Sequence, residues 1–257
     1  MNIEAYLQRL NYDGPRTRTI ATLRALHQAH LLAVPFENLD IPLGRPIVLE
    51  ERALYDKIVR QRRGGFCYEL NGLFAALLRV LGFEVKLLSG GVMDNGEFGP
   101  EFDHLTLLVQ LDEERWLADV GFGDSFREPL RLDERNEQLQ QGIAYRLSNS
   151  GEHWNMLRRL PEQEWGPQYH FTLQPHRLAD FAGMCRYHQT SPASHFMQKR
   201  ICSRATPEGR VTLSDMRLII TANGQRQEMM LRDQEECSRA LKEHFGIDLT
   251  RSKSYQR

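Results

Sequence analysis

The sequence predicts an α+β protein in three parts: an N-terminal helical bundle, a central antiparallel β-barrel or curved sheet, and a smaller C-terminal α/β unit. Three observations carry this. Helical periodicity dominates up to Leu81; from Val85 the pattern changes to short, β-branched, alternating segments; and a hairpin signal at Asn223-Gly224 precedes one more helical segment. The expected divisions are 1–84, 85–190 and 191–257.

The first helix is read over Asn2 to Leu10. A second, Thr17 to Leu32, carries Ile20, Leu23, Leu26 and Leu31 and follows the turn residues Asp13-Gly14-Pro15. Glu50 to Arg62 is the third. The fourth, Cys67 to Leu81, places Leu70, Leu73, Phe74, Leu77, Leu78 and Leu81 on one apolar face and stops at Gly82. Candidate strands are Val85 to Leu88, His104 to Leu111, Arg115 to Val120, Ala144 to Leu147, Trp154 to Leu157 and Tyr169 to Leu173. In the last part, Met216 to Thr221 and Gln225 to Leu231 flank Asn223-Gly224, a type I′ turn pair, and Asp233 to Phe245 reads as a helix ending at Gly246.

Composition narrows the function classes. With 33 basic and 34 acidic side chains in 257 residues, no overall charge draws the chain to nucleic acid or an anionic membrane. The basic run Arg60-Gln-Arg-Arg63 reads as a solvated helix end. No stretch approaches eighteen consecutive apolar residues, and Met1-Asn-Ile-Glu-Ala lacks the basic and apolar regions of a secretory leader. Cys67, Cys185, Cys202 and Cys237 form no C-x-x-C pair, so neither a zinc site nor a disulfide framework is indicated. The expectation is a cytoplasmic protein with free thiols.

Among those thiols Cys67 stands apart. It follows Arg63-Gly-Gly-Phe66 and opens a helix, where unpaired N–H groups and the positive end of the macrodipole favour thiolate. Gly64 and Gly65 let the chain turn sharply into that helix. A thiolate nucleophile needs a base, and the base needs a third group to fix its tautomer. His104 begins one strand and Asp119 lies near the end of the next. If the connection turns at Asp112-Glu113, His104 lies opposite Gly121, and Asp119 becomes its diagonal neighbour on the same face, about 7–8 Å away between backbones. A cysteine at a helix start, a histidine at a strand start and an aspartate on the following strand, in that order, is a papain-like or transglutaminase-like arrangement. The other three cysteines have no such setting and read as structural.

Five segments resemble the arylamine N-acetyltransferases: Val34-Pro-Phe-Glu-Asn-Leu-Asp40, Arg62-Arg-Gly-Gly-Phe-Cys-Tyr-Glu-Leu-Asn-Gly72, Asp103-His-Leu-Thr-Leu-Leu-Val109, Trp116-Leu-Ala-Asp-Val-Gly-Phe-Gly123 and Thr190-Ser-Pro-Ala-Ser-His-Phe196. The resemblance implies a cysteine-proteinase-like catalytic core in which the third part is a lid. It makes Cys67 the acetyl-accepting nucleophile, His104 its base and Asp119 the orienting carboxylate. Acetyl-CoA is then the acyl donor, and a small aromatic amine, hydrazine or N-hydroxyarylamine the acceptor, without a metal. Phe36, Phe122 and Phe196 are candidates for the walls of an apolar acceptor pocket. Gly90, Gly91, Gly121 and Gly123 are candidates for coenzyme contact, in a cleft the resemblance places between the second and third parts. Glu37, Asn38, Arg63 and Tyr68 read as supports of the site. The chain ends at Arg257, where some members of that family continue, which bears on substrate range. A monomer or homodimer is expected. Two other functions fit the same residues: a Cys-His-Asp amide hydrolase or transglutaminase, separated by its indifference to acetyl-CoA, and a non-catalytic binding protein with an unreactive Cys67.

Overall fold

A computed structural model describes residues 1–249. Positions 250–257 of the expected third part lie outside the described residues. The first part contains α1 (Ile3–Arg9), α2 (Ile20–Ala33), α3 (Glu51–Tyr55), which runs on into a π-helical turn (Asp56–Arg60), and α4 (Cys67–Val80). Caps set the starts. Asn2 Oδ1 accepts the Ala5 N–H at 3.1 Å, and Thr19 Oγ1 accepts the Thr22 N–H at 3.2 Å, which starts α2 three residues later than its apolar spacing alone indicates. Arg9, buried, ties the helices together by donating to the carbonyls of Ile58 at 3.0 Å and Ala33 at 2.7 Å.

Helix α4 differs from the expected amphipathic helix, because every residue from Cys67 to Leu78 is buried. It packs against α3 on one side and the central sheet on the other. Its sequence allows this, since Glu69 is the sole charged side chain before Arg79.

The short strand β1 (Phe36–Glu37) leaves the bundle. The central sheet follows with β2 (Glu84–Asp94), β3 (Glu97–Phe98), β4 (His104–Leu111), β5 (Glu114–Ala118), β6 (Leu130–Arg131), β7 (Gln138–Gln140), β8 (Ile143–Ser150), β9 (His153–Arg159) and β10 (Gly166–His176). Its antiparallel order is β6-β5-β4-β2-β10-β9-β8-β7, with β3 paired to the end of β2. The two ends of this curled sheet meet through glutamines on β7. Gln140 Oε1 accepts the N–H groups of Arg127 and Glu128 at 2.8 and 3.0 Å, and Gln138 exchanges two bonds with the Arg131 backbone at 2.8 and 3.0 Å. Side-chain amides thus bridge the last gap of a nearly closed barrel. Strand β4 is buried on both faces: Leu105, Leu107 and Val109 join the core around α4, while Leu108 joins Leu88, Leu117, Tyr145, Met156 and Tyr169 inside the barrel. That explains its nearly unbroken apolar run.

The third part is a meander of β11 (Ile201–Thr206), β12 (Gly209–Ser214), β13 (Arg217–Ala222) and β14 (Gln225–Met230), reached through α5 (Ala182–Thr190) and α6 (His195–Gln198) and closed by α7 (Gln234–Phe245). The hairpin turns where expected, with Ala222 opposite Gln225 and both Asn223 and Gly224 left-handed. Asp233 caps α7 and left-handed Gly246 ends it. Strands β11 and β12 and helix α5 are absent from the sequence reading, because their short segments are interrupted by polar residues. Strand β1 pairs with β11, Phe36 opposite Ser203, so the bundle and the third part share one sheet. Among the described residues, no helix is long and apolar enough to cross a membrane.

Candidate active site

The site lies where α4 meets the open end of the barrel. The connection between β4 and β5 turns at Asp112-Glu113, with Leu111 opposite Glu114 and Leu107 opposite Ala118. Continuing that register sets His104 level with Gly121. His104 Nε2 lies 2.7 Å from Asp119 Oδ2, and both side chains are buried. A carboxylate at that nitrogen can only accept, so Nε2 carries the proton and Nδ1 is left to take one.

The loop after β5 lies directly against the first turn of α4, which carries Cys67. A β-carbon on Gly121 would stand 2.7 Å from the Cys67 Cα. Only glycine allows the approach, so the closeness that Gly121 provides is taken up by the helix. On the other side, a β-carbon on Gly64 would collide with the Pro35 carbonyl. The glycine pair therefore lets β1 lie against the entry to α4, where Gly65 bridges to Phe36.

The electrostatics of Cys67 depart from the sequence expectation. Burial pushes the thiol well above its ordinary pKa; the Leu105 N–H lowers it, and Asp103 and Asp119 raise it further. Burial thus favours the thiol, against the pull of the helix terminus toward thiolate. Asp119 sets a negative charge against the His104 ring. Burial opposes its ionisation, but the charge and hydrogen bond of His104, with bonds from Asn71 and the Gly121 N–H, hold its carboxyl below the ordinary range.

Several of these supports escape sequence reasoning. Asn71 Nδ2 donates to Asp119 Oδ1 at 2.8 Å and to the Leu105 carbonyl at 2.6 Å, and its Oδ1 accepts the Val120 N–H at 2.9 Å. Its spacing was the available signal, four residues after Cys67 and so on the same helix face. Tyr169, from β10, packs its ring 4.9 Å from that of His104, and nothing local marks it. His27 on α2 is fully buried; its Nε2 accepts the Asp119 N–H at 3.1 Å and its Nδ1 donates to the Arg127 carbonyl at 2.9 Å.

Burial pushes the pKa of His27 down to about 4 and holds that of His30 well below its ordinary value. Between about pH 4 and 6.5 these two positions bind protons in the unfolded chain that the folded chain refuses, so their contribution to stability falls as pH drops through that window. In the folded protein the ring resonances of both histidines should show little titration between about pH 7.5 and 5 by NMR. A midpoint near the ordinary histidine value would show that these imidazoles are not held neutral.

Of the supports expected from the sequence, Glu37 and Arg63 join Asp40, Lys57 and Glu69 in one buried ion network. Arg63 lies 2.8 Å from Glu37 and 3.0 Å from Asp40, and Lys57 lies 2.7 Å from both Asp40 and Glu69. Glu69, pushed up to about 7 by burial against the pull of Lys57, accepts the Phe66 N–H at 3.1 Å and fixes the start of α4. Arg63 is thus no part of a solvated helix end. Arg63→Ala would strand Glu37 and Asp40 without their guanidinium, and should lower stability in urea by about 3–5 kcal/mol. Asn38 holds the third part in place, donating to the carbonyls of Phe196 and Lys199 at 3.0 and 2.7 Å. Tyr68 donates to the Phe102 carbonyl at 2.7 Å, anchoring the segment before His104.

Phe36, Phe122 and Phe196 are half-buried, whereas Phe66, Phe74, Phe126, Phe171 and Phe181 are fully enclosed. Phe122 stands 5.3 Å from the His104 ring, and Phe196 packs 6.1 Å from Phe36 and 5.6 Å from Phe66. Gly123, left-handed, lies against Phe36. Gly90 borders a cleft of about 780 Å³ with Ser89, Phe102, Trp154 and His170. Gly91 leaves room for the Gly99 carbonyl and the His170 side chain.

A helical bundle, a nearly closed barrel and an α/β unit surround a buried cysteine, histidine and aspartate, a fold with a cysteine-proteinase-like core. The N-acetyltransferase family model matches residues 19–254. Among curated relatives, the arylamine N-acetyltransferase of Escherichia coli is 36% identical over 252 residues, covering 96% of this chain and 89% of its own. The arylamine N-acetyltransferase / N-hydroxyarylamine O-acetyltransferase of Salmonella typhimurium is 36% identical, covering 95% of this chain and 88% of its own. The solved structure from Salmonella typhimurium superposes with a TM-score of 0.90 at 36% identity, over 95% of this chain and 90% of that one. The Mycobacterium marinum enzyme in complex with CoA gives 0.90 at 32% identity, over 97% and 94%. The chain belongs to the arylamine N-acetyltransferase family.

Proposed function

We propose that this protein transfers an acetyl group from acetyl-CoA, through a thioester on Cys67, to an arylamine, arylhydrazine or N-hydroxyarylamine. The observation that carries the reading is the buried 2.7 Å bond between His104 and Asp119 beside a thiol on the first turn of α4. His104 Nδ1 takes the Cys67 proton, and Asp119 stabilises the imidazolium. The thiolate attacks the thioester carbonyl, and the tetrahedral intermediate expels CoA, whose sulfur recovers the proton from His104. The amine then attacks the acetyl-cysteine, His104 removes its proton, and the Cys67 thiolate leaves. The N–H of Cys67, at the helix start, is a donor for the oxyanion.

The half-buried phenylalanines 36, 122 and 196 supply apolar walls that favour an aromatic acceptor. The Mycobacterium marinum complex supports CoA as the donor's carrier, and the Salmonella typhimurium relative's name supports N-hydroxyarylamines among the acceptors. Gly90, Gly91 and Gly123 remain our candidates along the coenzyme path; Gly121 leaves that set, because the space beside it is occupied by the first turn of α4. The test is intact mass after incubation with acetyl-CoA alone and after adding an arylamine. One acetyl group gained, then lost to the amine, is the expected result. A folded protein with an alkylatable Cys67 and no adduct would favour the hydrolase reading.

A further inference from the structure

We infer that His27 is a positioning residue for this reaction, its neutral imidazole clamping both ends of the loop that carries Asp119 and Phe122. The inference rests on the proposed roles of Cys67, His104 and Asp119. The bonding fixes the tautomer. The Arg127 carbonyl can only accept, so Nδ1 holds the proton; the Asp119 amide can only donate, so Nε2 offers a lone pair. One ring thereby joins the two ends of the segment from 119 to 127, which leaves β5, passes Gly121, Phe122 and Gly123, and returns toward β6.

The ring is itself held. Its face stacks on Phe126 from the loop, with centroids 5.7 Å apart and planes 12° from parallel, and Phe74 of α4 packs edge-on at 6.2 Å. Asn71 and the Gly121 N–H hold the carboxylate of Asp119, while His27 holds its backbone. An apolar residue in the same space would fill the volume and leave the Asp119 N–H without its acceptor, free to turn the carboxylate away from His104. Such a shift acts on the chemistry, because orientation errors of about 1 Å cost on the order of 10²-fold.

The experiment compares His27→Leu, which fills the space without either bond, with His27→Gln, whose planar amide offers one donor and one acceptor. Acetylation of Cys67 by acetyl-CoA and the pH dependence of its alkylation by iodoacetamide are measured on the folded fraction. Wild-type acetylation is read first, so a wrong functional reading appears there and not in the variants. His27→Leu should acetylate about 10²-fold more slowly, with alkylation displaced to higher pH, and His27→Gln should restore most of both. In an Asp119→Asn background, His27→Leu should change the rate less than about 3-fold, since its effect runs through that carboxylate. If His27→Leu does not fold, His27→Asn takes its place, reaching the Arg127 carbonyl and falling short of the Asp119 amide; loss of rate with the same displaced profile is expected. An unchanged pH profile with a near wild-type rate, or an equal loss in the Asp119→Asn background, would reduce His27 to a structural residue.

Discussion

Cys67→Ala should leave a folded protein that takes up no acetyl group from acetyl-CoA and transfers none to an arylamine, with turnover reduced at least about 10⁴-fold. The structural cost is small, because the substitution removes a single sulfur atom from a buried position and leaves the helix and its β-carbon in place. A destabilisation of about 1 kcal/mol is expected, far short of unfolding a chain this size. No other thiol stands in. Cys185 is buried in the bundle core with Gln189 on its sulfur, and Cys202 and Cys237 are buried under the third part. Near-UV circular dichroism and intact mass on the same sample separate loss of chemistry from loss of fold. Retained turnover in the folded variant would exclude a cysteine-linked intermediate altogether.

The main line of this site was legible because its elements are local. The helix start at Cys67 is marked by two glycines and an apolar period, and the register of β4 against β5 follows from a two-residue turn that places His104 level with Gly121. What the sequence hides is pairing at long range. Asn71 and His27 meet Asp119 across 48 and 92 residues, and the Gln138 and Gln140 bridges depend on two sheet ends brought together by curvature. The surroundings of Cys67 are hidden for a related reason. A helix terminus can be read from order along the chain, but burial on all sides of α4 cannot, and burial pushes the thiol's pKa up. The same enclosure turns Arg63 from a surface charge into the centre of an ion network.

Asp119→Asn should cut acetylation of Cys67 by about 10³–10⁴-fold while changing stability little, and the reason is a tautomer. Two donors, Asn71 Nδ2 at 2.8 Å and the Gly121 N–H at 3.0 Å, point at Asp119 Oδ1. An asparagine in that place must therefore put its oxygen toward them and its NH₂ toward His104 Nε2. Nε2 then has to accept, the ring proton moves to Nδ1, and the nitrogen facing the nucleophile can no longer take the Cys67 proton. The imidazolium also loses its counter-charge, so the buried thiol is left with the raised pKa that its surroundings impose. Alkylation of Cys67 in this variant should follow a single ionisation at alkaline pH, whereas on the proposed mechanism the wild type should react already at neutral pH. Both rates within about tenfold of wild type would mean that Asp119 serves the fold of the loop and not the base, since an isosteric amide preserves volume and changes only which proton sits where.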